Sequence, residues 1–181
     1  MSDISELSGH LIVSLNNKVE DYFVNTITLI IEHSKSGAFG LVINKPLNIS
    51  SKDFLETVGS TDAPQIEVLE TGPVERDRLF LLHTNDYGDE QSHKINQYVS
   101  LSGYSEKILA PDSMPTHMVA GFGYAGWGPG QLENELISNI WLVVPFLNEI
   151  IFETPHEDKC NIAARSMGID LNLLSKETGH G

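Results

Sequence analysis

The stretch GFGYAGWGPGQLENE, from Gly121 to Glu135, decides how the fold of this chain is interpreted, because it joins a strand pattern to a helix pattern. Five glycines fall within its first ten residues, interleaved with large aromatic side chains. Glycine gives up much backbone freedom on folding, so a glycine cluster marks a sharp turn or a close approach of the backbone to another group. We therefore interpret this stretch as a glycine-rich loop and as the place of the candidate site.

The two flanks of the loop predict different secondary structures. Met118–Phe122 is apolar and predicts a strand that leads into the loop. After the loop, Gln131–Ser138 predicts a helix, because Leu132, Leu136 and Ile140 repeat at a spacing of four residues on one face.

Elsewhere the chain alternates between strand and helix patterns. Thr26–Glu32 and Phe39–Asn44 predict an antiparallel hairpin around a turn at residues 33–37. Further strands are predicted at Leu11–Leu15, Gln65–Glu70, Leu79–His83, Tyr98–Leu101, Trp141–Val144 and Glu149–Phe152, and further helices from Ser50 or Ser51 to Gly59, at Ser105–Ala110 and at Pro155–Met167. Because the order is not a strict β-α repeat, we expect a mixed sheet in an α/β (or α+β) domain. One compact domain over residues 1–181 is predicted, with a loose polar C-terminal tail from about residue 171 to residue 181.

Charge limits the class of partner. The net charge is −14 and the pI is about 4.7, with only eleven Lys and Arg residues. None of them lies between Ile108 and Asp158, a stretch that holds seven carboxylates. Nucleic-acid binders neutralise phosphates with clustered cations, so direct nucleic-acid binding by this half is disfavoured. A small basic patch built from Lys35, Lys45, Arg76 and Arg78 stays open.

Composition also indicates the compartment. No apolar run approaches the ~20 residues that a membrane helix needs, and the first residues are acidic and polar rather than basic and apolar. The single cysteine, Cys160, excludes a disulfide within the chain. We expect a cytoplasmic protein that does not associate with membranes.

The loop could bind phosphate. Residues 121–126 match the G-x-G-x-x-G spacing, and glycine-rich turns before helices bind phosphates through backbone N–H groups. However, the Walker lysine is missing, and Glu133 and Glu135 fall in the first turn of the predicted helix. These carboxylates would repel an anion at the positive end of the helix dipole. We therefore favour a structural corner over a nucleotide site, with glycines at positive φ.

A second interpretation is an acid–base or metal site. His33 and His83 each end a predicted strand, and Glu32, Glu133 and Glu135 supply carboxylates. The candidate catalytic residues of a hydrolase-like enzyme are thus His33, His83, Glu133 and Glu135. No H-x-x-x-H, C-x-x-C, H-E-x-x-H or G-x-S-x-G spacing occurs. Cys160 has acidic neighbours that disfavour a thiolate. We predict no metal and no cofactor.

A third interpretation is a binding surface. Phe122, Tyr124 and Trp127 form either an exposed aromatic patch or part of the core, and sequence does not separate the two. An acidic surface beside such a patch would suit a basic partner. The candidate binding residues are Tyr124, Gly126, Trp127, Gly130 and Gln131.

Taken together, these patterns resemble the YqgE/AlgH family of small bacterial proteins. The segments that carry the resemblance are Leu7–Val13, Ile31–His33, Gly37–Pro46, Gly72–Val74, Leu82–His83, Gly123–Trp127, Gly130–Glu135, Asn139–Leu142 and Met167–Asp170. Two places depart from the family pattern: Thr71 stands where another glycine is usual, and Lys159-Cys160 where a basic residue and a tryptophan are common.

The resemblance implies a compact α/β fold with a mixed, partly curved sheet, and no settled activity, although some members are named as candidate transcriptional regulators. Since no recognised catalytic spacing is present, we expect a non-catalytic cytoplasmic binding or regulatory protein. Its partner would be a protein or a small molecule. The alternatives are the hydrolase-like enzyme above and a transcriptional regulator that acts indirectly, without binding DNA itself.

Overall fold

A computed structural model describes residues 6–15, 21–59 and 65–177. In chain order the strands are β1 (Leu11–Ser14), β2 (Ile27–Ser34), β3 (Gly37–Val42), β4 (Glu67–Glu70), β5 (Val74–Thr84), β6 (His93–Lys94), β7 (Val99–Ser102), β8 (Met118–Trp127) and β9 (Trp141–Val144). The helices are α1 (Ser51–Thr57), α2 (Gln131–Ile137), α3 (Lys159–Ser166) and α4 (Leu171–Glu177), with short 3₁₀-helices at Asp21–Phe23 and His156–Asp158. The chain divides into two compact units, a terminal unit (Met1–Asn44 and Ala125–Gly181) and a central unit (Lys45–Tyr124).

The terminal unit is built on antiparallel strands. Its pairing order is β3-β2-β1-β9, and the last three residues of β8 pair with β3. The predicted hairpin is confirmed, with a tighter turn at Lys35 and Ser36. Strand β2 is buried at every position from Ile27 to Ile31, so both of its faces are covered over this stretch. One core cluster comprises Leu7, Ile12, Ile30, Ala125, Trp127, Leu132 and Trp141.

The central unit has the order β6-β7-β5-β8, with β4 on the other side of β8. The β4–β8 pair is parallel and the remaining pairs are antiparallel, so the predicted mixed sheet is confirmed. Helix α1 begins after Ser50, whose hydroxyl accepts the N–H of Asp53 at 3.0 Å, as expected of a serine N-cap. The core cluster comprises Phe54, Leu55, Ile66, Val68, Leu81, Tyr87, Ile108, Leu109 and Ala120.

The glycine-rich stretch is a strand, and the loop interpretation is wrong for most of it. Strand β8 continues to Trp127, and the turn is confined to residues 128–130. The reason is close packing of the backbone within the central unit. A Cβ at Gly72 would lie 1.8 Å from the backbone carbon of Tyr124, and one at Gly123 would lie 2.2 Å from the Gly72 carbonyl oxygen. Of the five glycines, Gly123 and Gly130 alone have positive φ, at 79° and 73°.

Other predicted elements differ as well. Residues 149–152, predicted as a strand, form turns closed by bonds such as Glu153 N–H to Glu149 O at 3.1 Å. Short apolar runs are compatible with either structure, which explains the error. The predicted helix at 105–110 is a series of turns, and the helix predicted at 155–167 is split into a 3₁₀-helix and α3. Part of the expected loose tail forms α4, and residues 178–181 lie outside the described part.

Candidate functional site

The start of α2 is held by one glutamine side chain. The N–H of Gly128 donates to Gln131 Oε1 at 3.0 Å, and Gln131 Nε2 donates to Glu135 Oε1 at 3.0 Å. Gly130 precedes the helix at a positive φ, with no side-chain cap of its own. Gln131 therefore ties the turn to the next turn of the helix, and its carbonyl takes one of the backbone N–H groups that the turn leaves free.

Glu135 is the acceptor for two buried tryptophans. Its Oε2 accepts the indole N–H of Trp127 at 2.9 Å and that of Trp141 at 2.7 Å. The two indole rings pack edge to face with centroids 6.1 Å apart, and both residues are buried. A buried indole N–H needs an acceptor, so the carboxylate completes this part of the core. Sequence analysis missed Trp141 here, although two tryptophans near one acidic helix were a usable signal.

His33 and Glu133 are brought together as the acid–base hypothesis requires. His33 Nε2 lies 2.8 Å from Glu133 Oε1, and the N–H of Leu7 donates to His33 Nδ1 at 3.3 Å. Because Nδ1 accepts, Nε2 must carry the proton of the neutral ring and donate it to Glu133. The pKa of Glu133 is lowered by a bond from its own backbone N–H in the first turn of α2 and then by His33, against the opposing effect of burial.

His83 has different partners, within the central unit. It is fully buried, and its Nδ1 lies 2.8 Å from the carbonyl oxygen of Thr84. Its Nε2 lies 2.8 Å from Ser102 Oγ, which in turn lies 2.7 Å from Ser92 Oγ. Burial lowers the pKa of His83, while the Thr84 carbonyl and Asp86 act in the opposite direction. Both ring nitrogens are thus occupied, and His83 does not share the hydrogen bonds of His33 and Glu133.

The predicted binding residues differ in their exposure to solvent. Gly126 and Gln131 are exposed and Gly130 is half-buried, but Trp127 lies in the core and offers no exposed aromatic surface. In the central unit, Tyr124 is half-buried, with its ring edge to face against Phe80 and 6.0 Å from the guanidinium of Arg78. For Trp127 the structure therefore selects the core alternative.

The glycine-rich stretch and its surroundings do not form the phosphate site or the metal site that the sequence left open. The β8 backbone pairs with neighbouring strands over both of its halves, so its glycines do not form the cradle that the G-x-G-x-x-G spacing suggested. Among residues 6–15, 21–59 and 65–177, no three His, Cys, Asp or Glu side chains are close enough to hold a metal ion. Glu32 is exposed on β2 and belongs to no such group.

The possible basic patch is partly neutralised. Arg76 lies 4.0 Å from Glu70, and Arg78 lies 3.3 Å from Glu75. Burial lowers the pKa of Lys45, and Glu70 opposes this effect. Since carboxylates accompany both arginines, this part of the central unit does not present the concentrated positive charge of a nucleic-acid interface.

Two residues of the terminal unit have roles that sequence analysis did not predict. Lys159 is fully buried and donates from Nζ to the carbonyls of Ile43 at 3.0 Å and Ile151 at 2.8 Å. Burial raises the pKa of Cys160 to about 11, although a bond from Asn44 acts against it. Burial, rather than the acidic neighbours that the sequence suggested, therefore disfavours the thiolate form.

The central unit also contains a cavity of about 580 Å³. Its polar lining includes Asp86, Asp89, Glu90 and Lys107. Asp86 accepts from Thr84 and Thr116, and Asp89 accepts from Gln91 and Tyr87. These two carboxylates organise the loop beside the cavity, and each of their oxygens accepts at least one hydrogen bond.

No helix in the part of the chain that the structure describes is both long enough and apolar enough to cross a bilayer.

Comparisons with known proteins extend over nearly the whole chain. A family model described as AlgH-like (DUF179) matches residues 11–172. A UPF0301 protein of Nitrosospira multiformis is 36% identical over 97% of this chain and 97% of its own length. A UPF0301 protein of Pseudoalteromonas translucida is 33% identical over 98% of this chain and all of its own length.

Solved structures agree with this match. The solution structure of the AlgH protein from Pseudomonas aeruginosa has a TM-score of 0.77 and 31% identity, covering 100% of this chain and 99% of that one. A crystal structure of a Corynebacterium diphtheriae protein, at 22% identity and a TM-score of 0.75, covers 97% of this chain and 94% of that one and shows the same fold. The predicted fold class and the predicted family are both confirmed: this chain belongs to the AlgH-like (DUF179/UPF0301) family.

Proposed function

We propose that this protein is a non-catalytic, cytoplasmic binding protein with a regulatory role, and that it recognises a positively charged protein partner. The observation that carries the proposal is that the expected acid–base groups of the terminal unit, His33, Glu133 and Glu135, are already committed to hydrogen bonds within the fold. Glu135 is occupied by the indoles of Trp127 and Trp141 and by Gln131. His33 is held between the N–H of Leu7 and Glu133.

A general base needs a lone pair that can reach the proton it removes. In His33 the only lone pair of the neutral ring faces the backbone of Leu7, and the ring N–H faces Glu133. Catalysis by this pair would require the Leu7 contact to open. This cost argues against the part of the hydrolase alternative that rests on His33 and Glu133, and it favours a role in which these two groups stabilise the terminal unit.

Charge supports a basic partner. Glu149, Glu153, Glu157 and Asp158 are exposed side chains of the terminal unit, in the stretch that has no Lys or Arg. Complementary charge raises the rate of association and selects partners of opposite sign. The same charge disfavours DNA, so a role in transcription would be indirect, through a protein partner. A small-molecule ligand is the alternative for the cavity beside Asp86 and Lys107.

The test compares two variants that each lose three exposed carboxylates. One is Glu149→Gln/Glu153→Gln/Glu157→Gln in the terminal unit. The other, the matched control, is Glu90→Gln/Glu106→Gln/Asp112→Asn in the central unit. Tagged wild type and both variants are cross-linked in cells, and the captured proteins are identified by mass spectrometry. Each recovered protein is then purified and its affinity measured by fluorescence anisotropy at several salt concentrations.

We expect a basic partner whose affinity falls with salt, and falls at least tenfold in the terminal-unit variant but little in the control. Equal affinity for both variants, or an affinity that does not depend on salt, would overturn the proposal.

A further inference from the structure

We propose that Ser102 is a nucleophile, with His83 as its base, that accepts an acyl group from an activated ester. This covalent site lies in the central unit and does not depend on the proposed binding function. No G-x-S-x-G motif marks this pair, because it is assembled by two neighbouring strands rather than by a local motif.

Strand pairing positions the two side chains. β5 and β7 are antiparallel, with Leu81 opposite Ser102 and His83 opposite Ser100. His83 and Ser102 therefore lie on the same face of the sheet as diagonal neighbours. His83 Nε2 and Ser102 Oγ are 2.8 Å apart, which is the reach that a nucleophile and its base require.

The hydrogen-bond directions follow from the acceptors. His83 Nδ1 faces the Thr84 carbonyl at 2.8 Å, and a carbonyl only accepts, so Nδ1 carries the proton. Nε2 then has the lone pair and accepts the Ser102 hydroxyl proton. Ser102 Oγ in turn can accept from Ser92 Oγ at 2.7 Å. The arrangement orients a hydroxyl proton toward a neutral imidazole, with the carbonyl of Thr84 in the place of the third, orienting group.

The surroundings keep His83 neutral and leave Ser102 accessible. His83 is fully buried, and burial lowers its pKa. Its imidazole packs edge to face against the ring of Tyr87, with the two ring centroids 5.4 Å apart. Ser102 is partly exposed at the end of β7, and the next residue, Gly103, is exposed.

The acyl transfer to Ser102 needs no cofactor. Ser102 Oγ attacks the ester carbonyl carbon, and its proton passes to His83 Nε2. The bond from Oγ to the acyl carbon forms as the bond from that carbon to the leaving oxygen breaks. The proton on His83 Nε2 then passes to the leaving alkoxide or phenolate, which restores the neutral ring.

The experiment treats the full-length protein with p-nitrophenyl acetate and with a fluorophosphonate, and follows adduct formation by intact mass and peptide mapping. We expect one adduct, on Ser102. Ser102→Ala should abolish it, and His83→Gln should slow it about 100-fold, the usual contribution of a general base. Ser100→Ala is the matched control, since this serine lies on the same strand but bonds to Asn85, and it should label at the wild-type rate.

A second measurement tests the role of His83 on the wild type, in case the His83 variant does not fold. The labelling rate of the wild type is followed against pH, and we expect it to fall as His83 becomes protonated, at a pH below the ordinary histidine value of 6.5. An adduct that persists in Ser102→Ala, maps to another residue, or fails to form on the wild type would overturn the proposal. These outcomes leave the salt-dependent partner of the preceding proposal untouched, so the two can fail separately.

Discussion

Trp141 donates its indole N–H to Glu135 Oε2 over 2.7 Å, and this bond ties strand β9 to helix α2 in the terminal unit. The same oxygen serves Trp127, so one carboxylate satisfies two buried donors. A buried donor that loses its acceptor costs about 1–3 kcal/mol. Glu135, which the sequence placed in the first turn of α2 as a source of repulsion, lies one turn later and is part of the packing of this unit.

Removing that acceptor should destabilise the protein. We expect Glu135→Leu to lower the free energy of unfolding by about 3 kcal/mol, since both indole N–H groups are left unpaired, and Glu135→Gln by about 1 kcal/mol, since an amide oxygen still accepts. Urea denaturation followed by tryptophan fluorescence measures both. Glu149→Gln, at an exposed position, is the control and should change stability by less than about 0.5 kcal/mol. Equal stability of the Leu and Gln variants would contradict the assigned role.

Acid should weaken the fold partly through Glu133. Its pKa in the folded protein is depressed below the ordinary value of 4.5. The stabilisation it contributes is therefore present above that value and is lost as the pH falls through the lower, folded pKa. We expect Glu133→Gln to be less stable than wild type at pH 7, and the difference to shrink at pH 3. Urea midpoints at both pH values decide this, and a difference that is constant with pH would refute it.

The His33 ring should be the Nε2–H tautomer at neutral pH, because Nδ1 accepts from Leu7. Long-range ¹⁵N–¹H correlation spectra of the imidazole distinguish the two tautomers. Observation of the Nδ1–H form would mean that the Leu7 contact is absent in solution.

Gly72 should tolerate no side chain. A Cβ there would overlap the backbone of Tyr124 at 1.8 Å, and backbone cannot move aside as a flexible side chain can. We expect Gly72→Ala to lose more than about 4 kcal/mol or to fail to fold, as seen by circular dichroism and denaturation. Gly88→Ala is the matched control, because a Cβ at Gly88 would meet nothing within 4 Å. A stable Gly72→Ala protein would show that the backbone at Gly72 and Tyr124 can move apart.

Cys160 should react slowly until the protein unfolds. Burial raises the pKa of its thiol from 9.0 to about 11, which lowers the thiolate fraction at pH 8 about 100-fold. We expect alkylation by iodoacetamide to be at least that much slower in the native protein than in urea. The native rate should rise with pH up to the folded pKa. Comparable rates in both states would mean that the thiol is exposed.

Local patterns predicted much of the framework. The β-branched run Thr26–Glu32 and the returning Phe39–Asn44 predicted the hairpin, because alternation and turn residues act over neighbouring positions. Ser50 predicted the start of α1 for the same reason. The prediction failed where the competing signals were themselves local: the glycines of β8 resemble a loop, and Ile150 and Ile151 resemble a strand.

For the candidate site, the sequence predicted several of the residues but not their hydrogen-bond partners. Sequence singled out His33, Glu133 and Glu135, but not which donor each carboxylate would receive. The His83–Ser102 pair depends on the register of β5 and β7, and the bonds of Lys159 depend on two carbonyls distant in the chain. A period of two residues predicts which face of a strand is apolar but not which residue of another strand lies opposite.

The sequence by itself determined the family, the acidic charge and the alternation of strands and helices, because these depend on residue identity and on spacing within a few positions. Tertiary structure alone decided that the glycine-rich stretch is a strand, that Trp127 is buried and that Glu135 receives two indole N–H groups. The physical reason is that a buried donor must find an acceptor and a backbone must find room, and both requirements are met by groups far apart in the chain.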